Sequence, residues 1–90
     1  MNLTKIFGSK KQTQLVEYLL NYPNGIFNQA GLSRFLFCSP STISRVIEPL
    51  LEEEILVYEQ ISKQMKIIAL NTESDKVKAL MNFYQTIKQL

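Results

Sequence analysis

Ninety residues, 46% hydrophobic and 20% charged, make one small domain, too short for a catalytic cleft between two lobes. Ten Lys and Arg against eight Asp and Glu leave a charge of +2, which names no partner, and the composition is not that of a disordered chain. One cysteine, Cys38, and no histidine exclude an internal disulfide, a tetrahedral zinc site and a His-activated nucleophile, so no cofactor, metal or enzymatic role is expected.

Two further signals are missing. Gly8, Gly25 and Gly31 are too scattered for a phosphate loop. The longest aliphatic run, Ile67-Ile68-Ala69-Leu70, is far short of the ~20 residues of a membrane helix. Residues 1–7, followed by Lys10-Lys11, are too short for a signal peptide, so a cytoplasmic protein with no membrane partner is expected.

In chain order, Ser9 is an N-cap for a first helix over 10–21, with Leu15, Val16, Leu19 and Leu20 as its apolar stripe. Tyr22-Pro23-Asn24-Gly25 ends it, and Ile26-Phe27 reads as a minimal strand. Asn28 caps a second helix over 29–37, with Ala30, Leu32, Ser33 and Leu36 inward. Ser39-Pro40 opens a third, serine at the cap and proline at the first helical position. Its inward face is Ile43, Val46, Ile47, Leu50 and Leu51, its outward face Ser41, Thr42, Ser44, Arg45 and Glu48, and Pro49 should bend or loosen it. The period then changes to two strands, 55–61 and 65–71, around Ser62-Lys63-Gln64. Thr72 is the expected cap of a last helix over 73–89.

The expected fold is mainly α with a small β-hairpin, in the order helix, helix, helix, wing, helix. Two helices joined by a short turn, the second opening Ser-Pro-Ser-Thr, form a helix-turn-helix. The run Ser39-Pro40-Ser41-Thr42-Ile43-Ser44-Arg45, followed by Leu50-Leu51-Glu52-Glu53-Glu54-Ile55-Leu56, resembles the winged helix-turn-helix DNA-binding regulators of ArsR/MarR type. It looks most like their short archaeal versions. Phe7-Gly8-Ser9-Lys10, Leu70-Asn71-Thr72-Glu73 and Val77-Lys78-Ala79-Leu80 extend the likeness over nearly the whole chain. Metal-sensing members use Cys/His clusters that this chain lacks, so metal regulation does not carry over.

The residue chemistry agrees. Small hydroxyls and a cation at a helix N-terminus suit a groove ~12 Å wide, and the helix end attracts phosphate. Ser39, Ser41, Thr42 and Ser44 can meet phosphates or base edges, and Arg45 can clamp guanine or phosphate. Lys63 and Lys66 on the wing (61–65) can reach the flanking minor groove or backbone, and Lys10, Lys11, Gln29 and Arg34 are weaker phosphate candidates. Residues 1–48 net +3, 49–61 net −4, 62–70 net +2 and 71–90 net +1, so the cations fall on elements that would face double-stranded DNA.

The last helix carries an apolar stripe, Val77, Leu80, Met81, Tyr84, Ile87 and Leu90, with Phe83 beside it, and Leu3, Ile6 and Phe7 add a patch. Surplus apolar surface of this kind suits a two-fold dimer. The expected interface is Ile6, Phe7, Val77, Leu80, Met81, Tyr84 and Ile87, with residues 1–72 as the DNA-binding unit and 73–90 as a dimerisation helix of the same single domain. Self-packing of the helix is the competing arrangement.

Two glycines common in such folds are replaced, by Phe37 in the turn and Glu54 after the third helix. A left-handed Phe37 would be strained, so a reshaped turn is expected, and an altered corner at Glu54. Cys38 reads as a small buried turn residue, and Phe35 as exposed on an isolated subunit. The leading reading is a homodimeric, nucleoid-associated regulator, a repressor by promoter occupancy. The alternatives are a DNA-coating partition or chromatin-like protein spreading through dimer–dimer contacts, to which Phe35 and Phe37 are suited, and a winged-helix protein-interaction module.

Overall fold

A computed structural model of the chain describes residues 6–63 and 66–90. Expectations for Leu3, Gln64 and Met65 lie outside these residues. Helix α1 spans Lys10–Asn21, and Ser9 caps it by accepting the Gln12 N–H at 3.1 Å. Its stripe, Leu15, Val16, Leu19 and Leu20, is buried. After a turn closed by the Gly25 N–H on the Tyr22 carbonyl comes strand β1, Ile26–Phe27. Asn28 then caps α2, Gln29–Phe35, by accepting the Gly31 N–H. Ser39 caps α3, Pro40–Glu52, by accepting the Thr42 N–H at 3.2 Å. The helix runs on through Pro49, which denies the Arg45 carbonyl an N–H partner but does not end it.

Strands β2, Leu56–Gln60, and β3, Lys66–Leu70, pair antiparallel from Leu56↔Leu70 to Gln60↔Lys66. Strand β1 adds to the other edge of β3 through Ile26↔Ala69 and Phe27↔Ile68, so β3 is central in the order β1-β3-β2. In β2 only Leu56 is buried, and the wing beyond it stands clear of the core. Helix α4 spans Asp75–Lys88. Its N-cap position is Ser74, without a side-chain cap bond, not Thr72, because 70–74 form a turn in which the Ser74 N–H meets the Asn71 carbonyl.

The two corners without glycine keep the left-handed backbone. Phe37 has φ 55° and Glu54 φ 62°. At the first, the Cys38 N–H bonds the Ser33 carbonyl at 3.0 Å and the Phe37 N–H bonds the Arg34 carbonyl at 3.3 Å. At the second, the Ile55 N–H bonds the Leu50 carbonyl at 2.9 Å and the Glu54 N–H bonds the Leu51 carbonyl at 3.1 Å. Both are Schellman closures, which satisfy helix-end carbonyls and need a left-handed residue at that place. The expected reshaping does not occur. Paired carbonyls and the buried side chains on either side outweigh a local strain of about 1 kcal/mol. The second helix therefore stops at Phe35, and Ile55 is taken up in the corner and not in the strand.

One core unites all elements. Ile6, Leu15, Val16, Leu19, Leu32, Ile43, Leu50, Ile55, Ile68 and Val77 are its largest fully buried side chains, with Leu80 beside them. Ala30, expected inward, is exposed. Helix α4 folds back on this core. Its Tyr84 hydroxyl accepts from Asn21 Nδ2 at 2.8 Å, and Lys88 Nζ donates to Asn21 Oδ1 at 3.3 Å. Ile6, Val77 and Leu80 are thereby withdrawn from the surface expected to meet a second copy. Burial in their own chain leaves nothing for a partner to cover.

Candidate nucleic-acid interface

The N-terminal end of α3 carries a connected set of hydroxyls. Ser39 Oγ lies 2.9 Å from Ser41 Oγ and 3.0 Å from Thr42 Oγ1, and Arg45 Nη2 donates to Thr42 Oγ1 at 3.4 Å. The cap that starts the helix thus also aligns the group that holds Arg45, one turn further on. Ser41, Ser44, Arg45 and Glu48 are exposed and Thr42 is half-buried. The first turn holds no acidic residue, so the positive end of the helix dipole faces an uncompensated surface that favours anions.

Folding brings α1 to this end. Ser9, Lys10, Lys11, Thr42 and Arg45 line one open groove of about 430 Å³. Three cations separated by up to 35 positions in sequence therefore share a face with the α3 hydroxyls. Lys10 is exposed, whereas Lys11 is half-buried and its Nζ donates to the Leu36 carbonyl at 2.5 Å, tying α1 to the turn before α3. Gln29 Nε2 donates to the Pro40 carbonyl at 2.7 Å and braces the start of α3. Gln29 and Arg34 do not line the groove, although Arg34 is exposed in the last turn of α2. On the wing Lys63 is exposed near the tip, and Lys66 Nζ lies 6.0 Å from the centre of the Tyr58 ring.

Sequence reasoning missed Ser9 and Tyr58 as members of these surfaces. Ser9 carried only a capping signal, and Tyr58 reaches Lys66 through cross-strand pairing that no local motif encodes. Of the expected pairing surface, Phe7 and Ile87 are exposed and Met81 and Tyr84 partly buried, joined by exposed Phe83 and Leu90. Among the described residues no cluster of three or more His, Cys, Asp or Glu could hold a metal ion, and no helix is long and apolar enough to cross a membrane. Cys38 is half-buried against the core.

No protein-family model and no curated protein matches the chain. Solved structures do. HlyU from Vibrio cholerae N16961 superposes with a TM-score of 0.74 at 20% identity, over 98% of this chain and 89% of that one. MepR, a transcription regulator of the Staphylococcus aureus multidrug efflux pump MepA, gives 0.69 at 19% identity, over 97% of this chain and 65% of its own. A possible transcriptional regulator from Methanosarcina mazei Go1 gives 0.65 at 21%, over 90% and 74%. The likeness, with the helix-turn-helix of α2 and α3 and the β2–β3 wing, defines the fold as a winged helix-turn-helix.

Proposed function

We propose that the chain is a homodimeric, sequence-specific regulator of transcription, a repressor acting on the nucleoid in the cytoplasm. Helix α3 enters the major groove of double-stranded DNA, and the wing, through Lys63 and Lys66, lies on the flanking minor groove or backbone. The single observation that carries the reading is Arg45, held on Thr42 in the groove that Lys10 and Lys11 also line. Ser39, Ser41 and Ser44 supply hydroxyls to the same face. Further support comes from the fold's neighbours, one of which is described as a transcription regulator and another as a possible transcriptional regulator.

Residues 1–72 supply the DNA-binding unit and 73–90 the pairing helix. Two copies pair through Phe7, Met81, Tyr84 and Ile87, with Phe83 and Leu90, which sets two α3 helices about one DNA turn, ~34–36 Å, apart. Selection from a random DNA pool, followed by footprinting, tests the reading. One short footprint with a repeated half-site is expected. Arg45→Ala, with the fold intact, should abolish specific binding and lower the slope of log affinity against log salt by about 1. Unchanged binding by that variant would overturn the proposal.

A further inference from the structure

Glu48 is exposed on the outward face of α3 but has no part in the contact proposed above. The buried residues Ile43, Val46, Ile47 and Leu50 fix which side of the helix meets the core. At ~100° per residue, the direction opposite them runs almost through Ser41, with Arg45 and Glu48 each ~30° to either side. Glu48 therefore stands in the middle of the outward face, about 10 Å along the axis from Ser41. A groove that receives Ser41 and Arg45 receives Glu48 with them.

The Glu48 side chain has no hydrogen bond or ion pair among the described residues. Arg45 precedes it by three positions, a spacing that suits an ion pair on a helix. The Arg45 guanidinium turns the other way instead, Nη2 donating to Thr42 Oγ1 at 3.4 Å, so the carboxylate stays open. Glu52, one turn further along the same line, is the last residue of the helix and is engaged within the chain.

A carboxylate facing a polyanion weakens binding to every sequence except where it meets a donor. It can only accept hydrogen bonds. In the major groove only the N4 amino group of cytosine and the N6 amino group of adenine donate, whereas guanine N7 and O6 and thymine O4 accept and would repel it. Beside the adenine amino group lies N7, which opposes the second carboxylate oxygen. Beside the cytosine amino group lies a ring C–H, which does not. The base that suits Glu48 is therefore cytosine.

We infer that Glu48 is a specificity-determining residue that accepts the N4 amino group of one cytosine in each half-site. About 4.5 Å of helix axis separates it from Arg45, which sets that cytosine within a base pair or two of the Arg45 contact. The inference rests on the DNA-binding reading and deepens it: Arg45 supplies attraction, and Glu48 rejects the wrong bases.

Selection from a random DNA pool, run in parallel on the natural chain, Glu48→Ala and Glu48→Gln, tests this, with circular dichroism as the check on folding. The natural chain should fix a C·G pair at one position of each half-site. Glu48→Ala should lose about tenfold of the discrimination at that position alone, keep the others, and bind unrelated DNA more tightly. Glu48→Gln should shift the same position toward A·T, because an amide can both accept from adenine N6 and donate to N7. Either variant holding the C·G pair as strictly as the natural chain, or a relaxed position that is not C·G, would overturn the inference and leave the DNA contact standing. A gain in affinity that is equal on all sequences would do the same, by making Glu48 an ordinary surface acid. A natural chain that binds DNA without preference, or not at all, would overturn this inference and the proposed function together.

Discussion

Gln29 Nε2 donates to the Pro40 carbonyl across 2.7 Å, joining the first residue of α2 to the first residue of α3. The bond spans the helix-turn-helix at its open end, and Lys11, bonded to Leu36, holds its closed end. These two contacts add to the packing of Leu32 against Ile43 and Leu50 in the core shared by α2 and α3. Gln29 and Lys11 both read from sequence as phosphate candidates, and in the fold both also act as ties.

Replacing Gln29 by Ala should therefore cost about 1 kcal/mol in chemical denaturation, the net worth of one hydrogen bond. It should weaken DNA binding by misaligning α3 while leaving the salt slope unchanged, because no cation is lost. A reduced slope would assign Gln29 a different part. Arg45→Ala is the contrasting case, with stability kept and the slope reduced.

Glu54→Gly should stabilise the protein. At φ 62° glutamate bears a strain of about 1 kcal/mol that glycine does not, partly offset by the greater freedom of glycine in the unfolded chain. The bond from Asn71 Nδ2 to the Glu54 carbonyl is a backbone contact and survives the change. A net gain of about 0.5 kcal/mol corresponds to a thermal midpoint a few degrees higher, readable by calorimetry.

Val77→Asp and Ile87→Asp, ten positions apart on α4, should behave differently. Val77 is fully buried, and an unpaired carboxylate there should cost several kcal/mol and unfold so small a domain. Ile87 is 47% exposed, and its replacement should leave the melting profile of the isolated subunit nearly intact while reducing pairing through α4. Melting and sedimentation mass, measured on both, separate the two roles.

Lys76 Nζ lies 3.2 Å from Glu53 Oε2 and 3.4 Å from the Glu53 carbonyl, joining the start of α4 to the end of α3. Lys76 is about two-fifths exposed, so solvent screens the pair. Lys76→Ala should cost less than about 1 kcal/mol in denaturant titration, and that loss should shrink with added salt.

Much of the fold is legible locally. Ser9, Asn28 and Ser39 each stand three residues before the N–H they accept, so a cap is visible in a four-residue window. The fourth cap failed for the same reason in reverse. Thr72 is a good capping residue, but the turn linking Asn71 to Ser74 delays the helix, and Asn71 is itself held by the Ile55 carbonyl sixteen positions away. The residue types of the α3 face were legible too. Their union with Lys10 and Lys11 was not, because it depends on how α1 crosses α3.

The order of helices and strands, the caps of the first three helices and the hydroxyl-and-arginine end of α3 were determined by the sequence itself. Each depends on residue type and on hydrogen bonds or periodicities that close within a turn or two. Three things were decided only by the tertiary structure. The left-handed corners survived at Phe37 and Glu54, because packing on both sides holds each helix end closed. Lys11 and Gln29 became ties, because the carbonyls they reach belong to other elements. The apolar surplus was divided between an inner share, Ile6, Val77 and Leu80, and an outer share of exposed rings. Burial depends on which faces meet, and that choice belongs to the whole chain at once.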